Sequence, residues 1–274
     1  MLKSLNTICA LLLAFASVNA ENPAIVAHRG ASSDAPENTI PAFRLAWEQG
    51  ADAIEGDFRL TKEGHIVCIH DWNALRVAES TLVVSESTLE ELKKLDVGIF
   101  HGEKFKGTRI PTIAEVFATV PDGKKIYVEL KSDTEIIPAL LAEIKKSGLN
   151  NDQIVIISFK PQVIKELKSK APQFTAYWLS SYMRDELGNV IPSIETVLST
   201  LKEINADGFS SCQSINDETY AKRVIQTGYE FHLWTIDDVK TAERFTEWGA
   251  KSITTNVPGK IRAQLSKGKQ ALSP

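Results

Sequence analysis

Short apolar, β-branched runs alternate along the chain with amphipathic helical stretches: AIVAH then FRLAWEQG, AIEGDF, KIYVEL then IPALLAEIKKSG, QIVIISF then VIKELKSKA, FTAYWL, DGFSS, EFHLWTI and KSITTN. Such βαβ repetition is what a parallel sheet covered by helices produces, since every crossover between parallel neighbours needs a connection long enough to hold a helix. With HIVCIH included, nine strands are predicted. Only Thr61-Lys62-Glu63-Gly64 separates AIEGDFRL from HIVCIH, too few residues for a parallel crossover, so these two must form a hairpin. Eight parallel strands are left, the count of an α/β fold of the TIM (β/α)8 type, although the count alone leaves an open sheet in play. Residues 72–111 fit neither strand nor barrel helix. They predict a small helical insertion over the mouth after the second-strand hairpin, with Ser87-Thr88-Leu89-Glu90 as a capping box ahead of ELKKL.

That geometry decides where chemistry can sit. Active residues of such barrels lie at the C-terminal ends of strands, and His28, Glu55, Asp57, Glu129, Lys131 and Trp234 all fall late in theirs, with His70 brought back to the mouth by the returning arm of the hairpin. In IYVELK the period of two turns Ile126, Val128 and Leu130 one way and Tyr127, Glu129 and Lys131 the other, and the polar set must face the lumen. Glu55 and Asp57 repeat the pattern, with Ile54 and Phe58 turned to the helices. Three carboxylates in a poorly solvated lumen raise one another's pKa unless something neutralises them. One divalent cation would do so, and carboxylate oxygens with no thiolate beside them select Mg²⁺ or Ca²⁺ over zinc. The alternative is simple pairing with Arg29, Arg59 or Lys131. Trp234 is expected to share the inward face with His232 and to form a wall of the site, or else to be core packing. His65, His101 and His232 read as surface or hydrogen-bonded residues, and Asn38 in Pro36-Glu37-Asn38-Thr39 reads as the cap of the following helix.

The chain opens with Lys3, an apolar run from Ile8 to Val18 and small residues up to Ala20, which reads as a signal peptide over residues 1–20 cut after Ala20. This places the rest, 21–274, in the periplasm or outside the cell as a single barrel domain. The run is too short to span a bilayer, and Cys9 lacks the small-residue lipobox of a lipid anchor, so no stable membrane insertion is expected. The whole chain carries 31 basic and 35 acidic residues; the leader holds one Lys and no acid, so the remainder has 30 against 35. A net charge near −5 gives no reason to expect a nucleic-acid partner. Nothing in the sequence implies a protein partner. Cys68 and Cys212 are too few for a disulfide scaffold, and whether they pair is open.

In the order HRG, PENT, E-x-D with its TKEG turn, HD, ELK and WT, the chain from about Ile25 to Pro258 resembles the glycerophosphodiester phosphodiesterases. The resemblance implies a TIM barrel in which His28 and His70 are acid and base, Glu55, Asp57 and Glu129 hold one divalent metal, and Arg29 and Lys131 contact phosphate. It also brings Glu37 and Asn38 to the lining of the site and gives Trp234 the glycerol to wall in. The substrate is then a small glycerophosphodiester, cleaved to an alcohol and glycerol 3-phosphate through a cyclic phosphate formed by the substrate's own hydroxyl. Two places depart from the family pattern: Thr255-Asn256, where an acidic residue is expected after the last strand, and Ile236-Asp237-Asp238, where a hydrophobic-Asn ending is expected. Both are read as bearing on fine specificity only. Three rivals stand beside this reading. A phospholipase D-like enzyme on the same scaffold would want exposed apolar loops at the mouth, whereas the insertion carries many charges. A glycosidase would need neither two histidines nor a metal. A non-catalytic binding barrel would have lost a ligand or a His.

Overall fold

The computed structural model describes residues 22–215 and 217–271, so the leader read at residues 1–20 lies outside the described residues. The strands are β1 (Ala24–Ala27), β2 (Ala53–Leu60), β3 (Ile66–Cys68), β4 (Lys125–Leu130), β5 (Ile154–Ser158), β6 (Thr175–Ser180), β7 (Met183–Arg184), β8 (Val190–Ile191), β9 (Gly208–Cys212), β10 (Glu230–Trp234) and β11 (Ser252–Thr255). Eight of them pair in parallel in the ring β1-β2-β4-β5-β6-β9-β10-β11. The ring closes because Val26 of β1 is in register with Ala53 of β2 on one side and Thr254 of β11 on the other. An open sheet is thereby excluded, and the fold is a TIM barrel with helices outside it.

Alternation along each strand sorts side chains into two cores. Ile54, Phe58, Ile126, Val128 and Leu130 join the outer core between strands and helices, whereas Val26, Ala53, Tyr127, Val155, Ile157, Tyr177 and Leu179 fill the lumen. His232 also belongs inside: it is fully buried, stacks on Tyr177 at 4.0 Å between ring centres, and its Nδ1 lies 2.8 Å from Ser252 Oγ. β3 pairs antiparallel with β2, Phe58 opposite Cys68, which is the hairpin the short connection demands. Cys68 and Cys212 are both free thiols.

The segment 72–111 folds into short helical turns over a small core of its own, in which Ala74, Val84, Leu92, Val97 and Ile110 pack on Val67 and Ile69. Its capping box is shifted by one residue from Ser87/Glu90: Thr88 Oγ1 accepts from the Glu91 N–H while the Glu91 carboxylate accepts from the Thr88 N–H. Both pairs satisfy the S/T-x-x-E spacing. Ser87 is engaged elsewhere, donating to the Val83 carbonyl at 2.8 Å. A second correction concerns Asn38, which does not cap helix Ile40–Glu48. Thr39 does, accepting from Ala42 N, while Asn38 takes a left-handed conformation (φ 58°) that turns its side chain to the barrel. One small feature has no counterpart in the sequence reading: β7 and β8 form a hairpin after β6, closed by Asp185, whose carboxylate accepts from the N–H groups of Leu187 and Asn189.

Candidate active site

β2 and β4 are neighbours in a register that sets Asp57 beside Glu129, two residues of opposite-strand carboxylate at one height. Glu55 stands one pleat below on β2, and one oxygen from each of the three lies within 4.8 Å of the others. All three are buried. Gly56 between them has no room for a side chain to spare, since a Cβ there would meet Cys68 Sγ at 3.1 Å and Phe43 at 3.2 Å, so the E-G-D spacing also lets the hairpin and the first helix close on β2.

Each neighbour of the cluster can be traced to its element. Arg29 follows β1 in a left-handed turn (φ 54°) that aims its N–H at Glu55 Oε2, 2.9 Å away, and its Nε at Asp57 Oδ2, 3.1 Å. Gly30 completes the turn at φ 81°, where a Cβ would lie 2.6 Å from the Ala42 backbone. Lys131 Nζ, at the end of β4, sits 2.5 Å from Glu129 Oε1 and 3.2 Å from Asp57 Oδ1, the ion pairing that its position two residues beyond Glu129 allows. Asn38 donates to Asp57 Oδ2 at 2.8 Å and accepts from the Asp57 N–H at 3.1 Å, so it holds the carboxylate from behind. Glu37 also stands behind the cavity, between Arg29 Nη1 at 3.1 Å and Arg76.

His28, Arg29, Glu55, His70, Glu129, Lys131 and Trp234 all line one cavity at the mouth. Its far wall is aromatic: Trp234 packs edge-on against Phe159, 5.3 Å between centres, with its indole N–H on the Ser210 carbonyl. His28 Nδ1 faces Asn256 Oδ1 at 2.7 Å, and His70 Nδ1 faces Asp71 Oδ1 at the same distance. Asp71 in turn accepts from Arg76 Nε at 2.7 Å, and Arg76 also grips Glu37 through both terminal nitrogens. The insertion thus reaches the site through Arg76. Phe159, Asp71 and Arg76 are neighbours to which the sequence assigns no role, and Asn256 and Asp237 are read from it as bearing on fine specificity only. Apart from those of Asp71 with His70 and Arg76, their contacts join residues far apart in the chain, where no local spacing announces them.

Electrostatics split the carboxylates into two kinds. Burial tends to raise Asp57, yet Lys131 and Arg29 outweigh it and hold the group well below the ordinary range. Glu55 is pushed well up by burial and by the charges of Asp57 and Glu129, and Glu129 is pushed up to about 7 by burial and Asp57. Burial lowers both histidines, with Arg29 adding to the effect at His28 and Asp57 opposing it at His70. Glu55 Oε1 is meanwhile buried with no hydrogen-bond partner. A buried carboxylate oxygen without a partner, on a side chain beside two further carboxylates, is costly in a protein interior and is what a hard cation would satisfy.

The direction of these shifts fixes a pH dependence. Glu129, pushed up to about 7, holds its proton more tightly folded than unfolded, so it makes the cation-free protein lose stability as pH rises from about 4.5 through about 7, and the raised Glu55 acts in the same direction. A cation held by the three carboxylates would replace those protons. At 100 times its Kd it adds about 2.7 kcal/mol, or roughly 5–10 °C in Tm for a chain of this size. The thermal shift on adding Mg²⁺ or Ca²⁺ should be near zero at pH 5 and reach that size at pH 8; equal shifts at both would show that other groups bind the ion.

The glycerophosphoryl diester phosphodiesterase family model matches residues 28–260. A glycerophosphodiester phosphodiesterase of Caldanaerobacter subterraneus is 34% identical over 249 residues, covering 89% of this chain and 98% of the relative. Among solved structures, a phosphodiesterase of Oleispira antarctica in complex with the product sn-glycerol-3-phosphate superposes with a TM-score of 0.82 at 26% identity, over 89% of this chain and 97% of that one. A glycerophosphodiester phosphodiesterase of Thermotoga maritima does so with a TM-score of 0.71 at 25% identity, over 89% and 98%.

Proposed function

Since the chain belongs to the glycerophosphoryl diester phosphodiesterase family, we propose that it hydrolyses glycerophosphodiesters to an alcohol and glycerol 3-phosphate. In this reading Glu55, Asp57 and Glu129 hold one divalent cation, Mg²⁺ or Ca²⁺, and His28 and His70 move the protons. The observation that carries it is the convergence of three buried carboxylates from two strands, Glu55 Oε1 among their oxygens left without a hydrogen-bond partner, between two histidines whose Nδ1 atoms are already engaged. When bound, the cation would supply positive charge that offsets the carboxylates and favours the more anionic transition state.

The chain's own groups do the rest. Arg29 and Lys131, now paired with Asp57, lie where they can turn to the non-bridging oxygens of a phosphodiester. One imidazole takes the proton of the substrate's glycerol hydroxyl as that oxygen attacks phosphorus, and the other gives a proton to the departing alcohol oxygen. A cyclic phosphate and the free alcohol result, and water opens the ring with the two histidines in exchanged roles. Trp234 and Phe159 wall the glycerol away from water. The leader pattern supports removal of residues 1–20 and action in the periplasm or outside the cell on a single domain, 21–274. None of the helices among the described residues is long and apolar enough to cross a membrane.

A second reading, in which the substrate keeps an acyl chain as a phospholipase D-like enzyme would require, is favoured by one observation. The exposed large apolar residues Trp72, Leu75, Phe100, Phe159, Met183, Leu187 and Ile191 all lie in segments that follow β3, β5 or β6 on the mouth side, despite the many charges of the insertion. One experiment separates the readings. The secreted form, expected to begin at Glu21, is incubated with glycerophosphocholine or lysophosphatidylcholine, with and without EDTA, and glycerol 3-phosphate or its monoacyl form is measured. Turnover of glycerophosphocholine that EDTA abolishes is expected; preference for the lysolipid would favour the second reading, and activity untouched by EDTA would remove the cation from either.

A further inference from the structure

The two departures from the family pattern meet in space. Asp237, after β10, accepts three hydrogen bonds from the segment after β11: from Thr255 Oγ1 at 2.9 Å, from the Asn256 N–H at 2.8 Å and from Asn256 Nδ2 at 2.6 Å. A carboxylate only accepts, so the third bond fixes which end of the Asn256 amide faces it. The other end, Oδ1, must then face His28 Nδ1 at 2.7 Å, and it also accepts from Ser32 Oγ at 2.8 Å. An amide oxygen cannot donate. His28 must therefore carry its proton on Nδ1, and Nε2 is the nitrogen left for the substrate.

We infer that Asn256 is the residue that positions His28 and sets its tautomer, and that Asp237 acts one step behind it by keeping the Asn256 amide from flipping. His70 differs, because its Nδ1 meets the carboxylate of Asp71 directly. Behind His28 the charge stands one residue further out: the amide of Asn256 touches the ring and the carboxylate of Asp237 lies behind that amide. The inference rests on the proposed role of His28 in proton transfer, and the experiment keeps the two separable.

Asp237→Asn touches neither substrate nor imidazole. The introduced amide must keep its oxygen toward Thr255 Oγ1 and the Asn256 N–H, so its NH₂ opposes the NH₂ of Asn256. Asn256 then gains by flipping, which presents a donor to His28 Nδ1 and moves the ring proton to Nε2. Asn256→Asp places two carboxylates in contact. Together the substitutions restore every bond with the amide and the acid exchanged.

Steady-state rates with glycerophosphocholine and the divalent cation, on the mature chain, are compared for both single variants, the double variant and His28→Ala, with two-bond ¹H–¹⁵N spectra of histidine-labelled protein to read the tautomer. D237N should lower kcat about tenfold or more with KM within about threefold, and its His28 proton should move to Nε2; N256D should also lose activity, and D237N/N256D should recover to within about threefold of wild type. Three results would each overturn the inference: wild-type His28 protonated on Nε2, D237N with unchanged kcat and tautomer, or a double variant no better than the worse single. The wild-type spectrum decides even if D237N fails to fold. An active His28→Ala would instead remove the role proposed for His28, whereas an inactive one beside an unaffected D237N overturns the positioning alone.

Discussion

His28→Ala and His70→Ala are each expected to lower kcat by about 10²- to 10⁴-fold while leaving the barrel folded, the range that a positioned general acid or base contributes. Neither ring belongs to the core that holds the strands together: His28 lies past the end of β1 and His70 past the end of β3. The groups behind them keep other partners after truncation, Ser32 and Asp237 for Asn256 and Arg76 for Asp71, so no buried charge is stranded. Circular dichroism and Tm close to wild type should therefore accompany the loss in rate. Loss of less than about tenfold in either variant would remove that histidine from proton transfer. A substrate with a p-nitrophenolate leaving group then separates the roles. That group departs without a proton, so the variant lacking the acid of the first step should recover much of its rate of nitrophenolate release, and the variant lacking the base should not.

Local spacing carried most of what places these residues. Alternation in IYVELK told lumen from helix side, and the four-residue connection told hairpin from crossover, because period and connection length are properties of short stretches of chain. The errors are of one residue and share a cause. Asn38 and Thr39 are both good caps, and only the left-handed turn at Asn38, imposed by its bonds to Asp57, decides between them. Ser87 and Thr88 are equally matched until Ser87 is drawn to the Val83 carbonyl. What escaped the sequence altogether is tertiary: Arg76 bridging Asp71 to Glu37, and Asp237 steering Asn256 against His28, contacts made between loops that only closure of the barrel brings together. Asn256 and Asp237 were visible as departures from a pattern, yet their adjacency, and with it their bearing on a proton, was not.

Glu55→Gln should make the cation-free protein more stable and the enzyme nearly inactive. Glu55 Oε2 accepts from the Arg29 N–H, a bond that the amide oxygen of Gln can keep. Its other oxygen is buried without a partner, and the carboxylates of Asp57 and Glu129 stand close to this side chain, so an NH₂ placed there would bring a donor into a cluster of acceptors. Relief of an unsatisfied buried group is worth about 1–3 kcal/mol, or roughly 3–10 °C in Tm for a chain of this length. The sign depends on pH. Because burial and its acidic neighbours raise Glu55 well above the ordinary range, Gln should gain least at low pH, where the carboxyl keeps its proton, and more as rising pH draws that proton off. Activity moves the other way, since one of three charges that would hold the cation is gone, and a loss of several kcal/mol in transition-state stabilisation is about 10³-fold or more in kcat/KM. Adding Mg²⁺ or Ca²⁺ should then reverse the order of the melting temperatures, raising wild type past a variant that barely responds. Were Glu55→Gln less stable than wild type in EDTA at pH 8, or as responsive to the cation, the three carboxylates would be a structural ion-pair network with Arg29 and Lys131 and not a metal site.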